Sequence, residues 1–263
     1  MARLILLTGA SGTLGRLLAP RLVKAGYEVR LSDIQPFPDA VPEGAHFVQA
    51  DLVDEPAVRA LVAGTDAIVH LGGISNEQPF RTIIDANILG LTHLFEAARE
   101  SRQRIVFASS NHAIGYYKRG ELIDPRDPMR PDGYYGLSKA YGELLGRMMF
   151  DKHGLESVHM RIGSCLPVPT EERHLATWLS HDDLERLVIA AIEAPETGHA
   201  VVWGVSANGG SWWKNDDAER IGYAARDDAS RFAPLPETGD AVTRRFQGGT
   251  FAADGYSRDD SGQ

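Results

Sequence analysis

Leu4-Ile5-Leu6-Leu7-Thr8-Gly9-Ala10-Ser11-Gly12-Thr13-Leu14-Gly15 begins the chain with an apolar run followed by three glycines at intervals of three, G-x-x-G-x-x-G. The run predicts a buried strand. Leu14, Leu17, Leu18, Leu22 and Ala25 then recur at helical spacing, with Gly26 as a stop. A strand, a glycine turn and a helix in direct succession form a phosphate cradle. Glycines permit a tight turn and close backbone approach, and the helix N-terminus offers free N–H groups and partial positive charge. Gly9, Gly12, Thr13, Leu14 and Gly15 are therefore expected to hold a pyrophosphate. Asp33 stands eighteen residues past Gly15 at the end of the next apolar run, where a carboxylate bonds the adenosine ribose hydroxyls. It would repel a 2′-phosphate, and Ile34 and Gln35 offer no cation to offset it, so the reading is NAD rather than NADP.

Outward from this unit, strand-like runs recur at 28–32, 46–50, 67–71, 104–108, 157–162 and 200–203. Helical stretches fall at 55–63, 82–101, 136–152 and 182–194. Such alternation predicts an α/β protein, a Rossmann-type doubly wound parallel sheet covered on both faces, with ligands bound outside the carboxyl ends of the strands. We read residues 1–263 as a single dinucleotide-binding domain whose small C-terminal substrate lobe comes mainly from 164–182 and 204–263. Asp51 and Leu52, after the third strand, are placed against the adenine, with a helix cap as the alternative for Asp51. Leu71, Gly72 and Gly73, after the fourth, are placed under the cofactor, with a plain turn as the alternative. The segment 111–132, rich in Pro, Gly and charge, is expected to wall the substrate site. A loose tail is expected from Ala252 onward.

The chain has 263 residues, 43% hydrophobic and 24% charged, and a net charge of -9. That balance disfavours a nucleic-acid or anionic-membrane partner, whose phosphates draw on clustered Lys and Arg. Cys165 is the only cysteine, which excludes an internal disulfide and suits a reducing compartment. With no signal peptide or membrane span evident, the expected location is cytoplasmic.

Tyr135 and Lys139 stand four apart in Tyr-Gly-Leu-Ser-Lys, downstream of Ser109-Ser110. On a helix these positions share a face, so the ammonium can sit beside the phenol. A free tyrosine titrates near ~10, and lowering that by roughly 2 to 3 units takes about 3 to 4 kcal/mol. The expectation is that Lys139, helped by an oxidised nicotinamide, supplies it.

With these residues in place the chain resembles the extended branch of the short-chain dehydrogenase/reductase superfamily. Within it, the blocks His70-Leu71-Gly72-Gly73-Ile74-Ser75, Phe107-Ala108-Ser109-Ser110-Asn111-His112, Arg161-Ile162-Gly163-Ser164-Cys165, Ser180-His181-Asp182-Asp183 and Phe246-Gln247-Gly248-Gly249-Thr250-Phe251 resemble the bacterial uronate dehydrogenases. The resemblance implies NAD-dependent oxidation of D-galacturonate or D-glucuronate at C1 to the aldarolactone and then the aldaric acid. It makes Tyr135 the general base, Lys139 its electrostatic partner, Ser110 the hydroxyl on the reacting oxygen and Asn87 an organiser of a proton relay. It puts Ser109, Ile162, Asn87, Tyr135 and Lys139 among the cofactor contacts. The sugar-binding pattern falls on Ser75, Ser110, Asn111, His112, Tyr135, Ser164 and Arg173, closed by Phe251. Similar enzymes are homo-oligomers.

The C6 carboxylate of a uronic acid suits the fork of an arginine. Arg173, in an irregular segment after two prolines, is the candidate, and Arg161, within a strand, is the competitor. His112 either bonds a sugar hydroxyl or packs under Tyr116 and Tyr117. No metal is expected: His181, Asp182 and Asp183 read as the opening of a helix. Two other readings stay open, a sugar-nucleotide epimerase or dehydratase of the same fold and a non-catalytic NAD sensor.

Overall fold

The computed structural model describes residues 2–256. Seven parallel strands form its sheet: β1 (Leu4–Thr8), β2 (Glu28–Asp33), β3 (Ala45–Gln49), β4 (Ala67–His70), β5 (Arg104–Ser110), β6 (Ser157–Ile162) and, at the far edge, the last strand (His199–Gly204), in the order β3-β2-β1-β4-β5-β6-last. Each matches a run read from the sequence to within two residues. The order reverses direction between β1 and β4, and the crevice of such a sheet opens there.

Side chains alternate across a strand, so β1 serves two cores at once. Ile5 and Leu7 face one layer with Leu18 and Leu22 of α1 (Thr13–Lys24), while Leu6 faces the other with Ile68 and Ile105. The second layer is built by α2 (Glu55–Val62) and the helices that cross β4 and β5. One of these begins as α3 (Phe80–Ile83), passes through a wider π segment (Ile84–Leu89) and continues as α4 (Gly90–Ser101). The sequence reading of one regular helix over 82–101 missed that insertion. The catalytic candidates ride on α5 (Tyr134–His153), which starts two residues earlier than the spacing suggested.

After β6 the chain makes two elements absent from the sequence reading. These are the two-residue strands β7 (Ser164–Cys165) and β8 (Trp178–Leu179), paired with each other around the short helix α6 (His174–Thr177). The next helix, α7 (His181–Glu193), is capped by the Ser180 hydroxyl, which accepts from Asp183 N at 2.9 Å. The cap is thus the serine and not the carboxylates. The last strand above is β9 in chain order. The loose tail expected from Ala252 is corrected in part: Gly249–Ala252 and Asp254–Tyr256 form 3-10 turns, and Ala252 is buried. The remainder of that expected tail, 257–263, lies outside the described residues.

Candidate active site

A cleft of about 660 Å³ runs along the carboxyl ends of the strands. Every site residue named from the sequence lines it except Asn87.

At one end lies the glycine loop. Gly9 has φ +73°, and a Cβ there would sit 2.5 Å from Gly72 N. A Cβ on Gly15 would sit 2.2 Å from Gly9 O, so this glycine lets α1 press on the turn that follows β1. Gly12 differs: its nearest neighbour would be Gly9 O at 3.4 Å, and as the N-cap it places no side chain over the first turn of α1. The open amides and the bare approach fit a pyrophosphate. Asp33 lies beside the loop, its carboxylate accepting from Ser11 N and Gln35 N at 3.0 Å each. Arg16, the cation that directly follows the glycine loop, is clamped by Asp39 at 2.6 Å. Asp51 accepts from Val53 N, while the cap of α2 is Asp54, whose side chain accepts from Ala57 N. That removes the helix-cap alternative for Asp51. Leu52 packs beneath Gly72 and Gly90.

At the middle stands the first turn of α5. Tyr135 and Lys139 are both buried, the ammonium 5.6 Å from the Tyr135 ring centroid and 4.9 Å from that of Phe107. Burial pushes the phenol up to about 12, countered in part by its hydrogen bond with Ser110 and reinforced by Asp132. Burial pushes the Lys139 ammonium down to about 8. In the protein alone desolvation dominates both groups; the expected lowering of the phenol is assigned to Lys139 acting together with an oxidised nicotinamide. Glu77, absent from the sequence reading, anchors this turn. Its buried carboxylate accepts from Tyr134 N at 2.8 Å and Tyr135 N at 2.9 Å. Asn87 is also committed, accepting from Ile74 N at 2.7 Å and donating to Ile74 O and Ser138 Oγ. Its amide pins the loop after β4, so Asn87 stands behind the cleft lining, as a polar helix residue facing a turn would. Ser109 lines the cleft but donates to Glu143 at 2.6 Å.

The far end is built around Arg173. Its guanidinium is buried and held by neutral acceptors: Nε donates to Gln247 O at 2.7 Å and Nη1 to Ser164 Oγ at 3.0 Å. Asn111, in the amide orientation that satisfies both neighbours, accepts from Nη2 at 2.9 Å and donates to Ile162 O at 3.1 Å. No carboxylate among the described residues forms an ion pair with it, and burial brings it down to about 10. The competitor Arg161 is spent, since Glu143 takes its Nε and Nη2 at 2.9 and 2.8 Å in a fully buried pair. His112 does not pack under the tyrosine pair. It stacks on Phe251, ring centroids 3.8 Å apart, and its Nδ1 lies 2.8 Å from Asp132 Oδ2. Ser75 lines the same cleft. Gln247, fully buried, bonds Trp213 and two loop carbonyls and so fixes the segment that carries Phe251. Glu77, Asp132 and Glu143 carried no sequence signal, and Gln247 only its place in a block of family resemblance, because nothing local marks which distant group a polar side chain will meet.

Comparison with known proteins agrees with this layout. The model of the NAD dependent epimerase/dehydratase family matches residues 5–181. A uronate dehydrogenase of Agrobacterium fabrum is 51% identical over 94% of this chain and 96% of its own. The crystal structure of a uronate dehydrogenase mutant from Agrobacterium tumefaciens, complexed with NAD, superposes with a TM-score of 0.90 at 49% identity, covering 96% of this chain and 97% of that one. A glucuronic acid dehydrogenase from Chromohalobacter salexigens gives a TM-score of 0.93 at 44% identity over 98% of this chain and all of its own. The chain belongs to the NAD dependent epimerase/dehydratase family and, within it, to the uronate dehydrogenases, NAD-dependent oxidoreductases.

Proposed function

We propose that the protein oxidises D-galacturonate or D-glucuronate at C1 to the aldarolactone, which opens to the aldaric acid, with the substrate carboxylate on Arg173. The observation that carries the reading is the buried guanidinium at the cleft wall with only neutral acceptors. An unpaired cation out of water is costly, and an anionic ligand repays that cost through charge-assisted hydrogen bonds. The glycine loop, Asp33, Asp51 and the Leu71-Gly72-Gly73 turn would hold NAD, which supplies a hydride acceptor and positive charge near the phenol. Tyr135 takes the proton of the C1 hydroxyl, and Ser110 donates to the same oxygen as it becomes a carbonyl. Lys139 steadies the phenolate. Asn111, Ser164 and His112 bond the sugar, and Phe251 excludes water. In this reading 164–182 and 204–263 form the substrate lobe, the first giving Arg173 and the second Gln247 and Phe251.

Purified protein with NAD should turn over either uronate and leave galactose and glucose almost untouched. Arg173→Ala should lower kcat/KM for uronates by about 100-fold, the size of a lost charged hydrogen-bond pair of roughly 3 kcal/mol, chiefly through KM. Equal activity on the neutral sugars defeats the reading.

Self-association is part of the proposal. Leu137, Tyr141, Leu144 and Met148 follow one another at intervals of four, three and four along α5, and three of them are exposed, Leu144 at 60%. A second copy of the chain offers the matching apolar face. Among the described residues no helix is long and apolar enough to cross a membrane, and we assign the protein to the cytoplasm.

A further inference from the structure

Asp132 is a buried charge behind the cleft wall, in contact with His112, which lines it. Its side chain is fully enclosed, and no lysine or arginine among the described residues pairs with it. Its Oδ1 has no partner, while Oδ2 meets His112 Nδ1 at 2.8 Å. Space for it is cut out of the backbone. A Cβ on Gly115 would lie 1.8 Å from Oδ2, one on Gly248 1.9 Å from it, and one on Gly136 3.0 Å from Oδ1. Two separate segments thus give up side chains around one carboxylate, while Gly136 is pressed first by His112 O, 2.2 Å from where its Cβ would sit. Burying it is costly, and a half-satisfied carboxylate is a poor stabiliser. Its purpose is therefore sought in the ring it touches.

We infer that Asp132 is a positioning residue, holding His112 as the Nδ1–H tautomer so that Nε2 accepts a hydrogen bond from a hydroxyl of the bound uronic acid. An ionised carboxylate only accepts, so the bridging hydrogen belongs to Nδ1. In the neutral ring Nε2 is then the acceptor, and it has no partner among the described residues although it is not sealed from the cleft. Rotation of the ring is blocked on one face by Phe251, at 3.8 Å and 26°. Tyr135 lies 5.7 Å away on centroids, so the hydroxyl that reaches Nε2 belongs to the same sugar whose C1 hydroxyl proton Tyr135 removes. Carboxylate, imidazole and substrate hydroxyl form a relay of orientation. The inference rests on the uronate reading for the identity of the hydroxyl, and on geometry alone for the tautomer.

Two measurements test it. The ring-nitrogen resonances of selectively ¹⁵N-histidine-labelled protein, with His112 assigned by substitution, report the tautomer without turnover. Wild type should show Nδ1–H, and Asp132→Ala should lose that signature. In steady state, Asp132→Ala should lower kcat/KM for the uronate on the order of 10- to 100-fold, mostly in KM, with the affinity for NAD within about twofold. The same change in a His112→Ala background should cost less than about twofold, because the ring through which it acts is gone. Asp132→Leu, which fills the space without an acceptor, replaces alanine if that variant does not fold. An unchanged tautomer, or losses that add in the double variant, overturns the assignment. A correct tautomer in a protein that oxidises no uronate leaves the assignment of the pair standing and removes the substrate reading instead.

Discussion

Tyr135 and Lys139 were legible because both lie on one helix face four residues apart; their electrostatics were not. The helical spacing carries no information on how far each group is withdrawn from water, and that withdrawal dominates both. The ordinary lysine value of 10.5 falls to about 8 in the fold. A depressed lysine costs stability while it is charged in the folded state, so the cost is complete below pH 8 and fades as pH rises toward 10.5. Its size is about 3 kcal/mol at most. Lys139→Met should therefore raise Tm by several degrees at pH 7 while lowering kcat, and the thermal gain should shrink when melting is repeated at pH 10. A gain equal at both pH values would mean that folding leaves the amine's proton affinity unshifted. Arg173 was reachable through family resemblance and its place in an irregular segment after two prolines, but its burial was not, since nothing adjacent to it in sequence distinguishes it from a surface arginine. Arg161 was excluded only once Glu143 was seen beside it, and that partner lies eighteen residues away on another element.

At the scale of elements, the seven strands could be read because each is a short run with apolar residues between helical stretches, the central ones buried on both faces. The π segment could not. Its extra residue widens the helix where Asn87 is drawn to the Ile74 backbone, and such a tertiary demand leaves the apolar periodicity of 80–101 almost unchanged. The same loop reaches α5 through Glu77, which replaces the local N-cap that Gly133 does not provide. Removing that carboxylate strips two amides of their acceptor and a negative charge from the positive end of the helix. Glu77→Ala is expected to cost about 1 to 2 kcal/mol in urea denaturation, and Glu77→Gln, which keeps an acceptor, to cost less. An unchanged midpoint for the alanine variant would show that water caps the helix equally well.

For the molecule as a whole, the doubly wound sheet and its cleft followed from the opening twelve residues and the alternation after them. The paired strands β7 and β8 did not, each being too short to show a pattern. Nor did the outward apolar face of α5, since in sequence its leucines are indistinguishable from core residues until the opposite side is seen to be filled by Leu145 and Met149. If that face joins two copies, Leu144→Glu should shift the mass measured by light scattering to that of a single chain of 28.7 kDa. A wild-type protein already at that mass would dispose of the idea. The hollow around Asp132 has a consequence for anyone diversifying this scaffold. Positions 115, 132 and 248 behave as one locus: a residue larger than glycine at 115 or 248 becomes tolerable only after the acid is shortened. Libraries that vary these sites one at a time will record three dead ends and overlook the joint solutions.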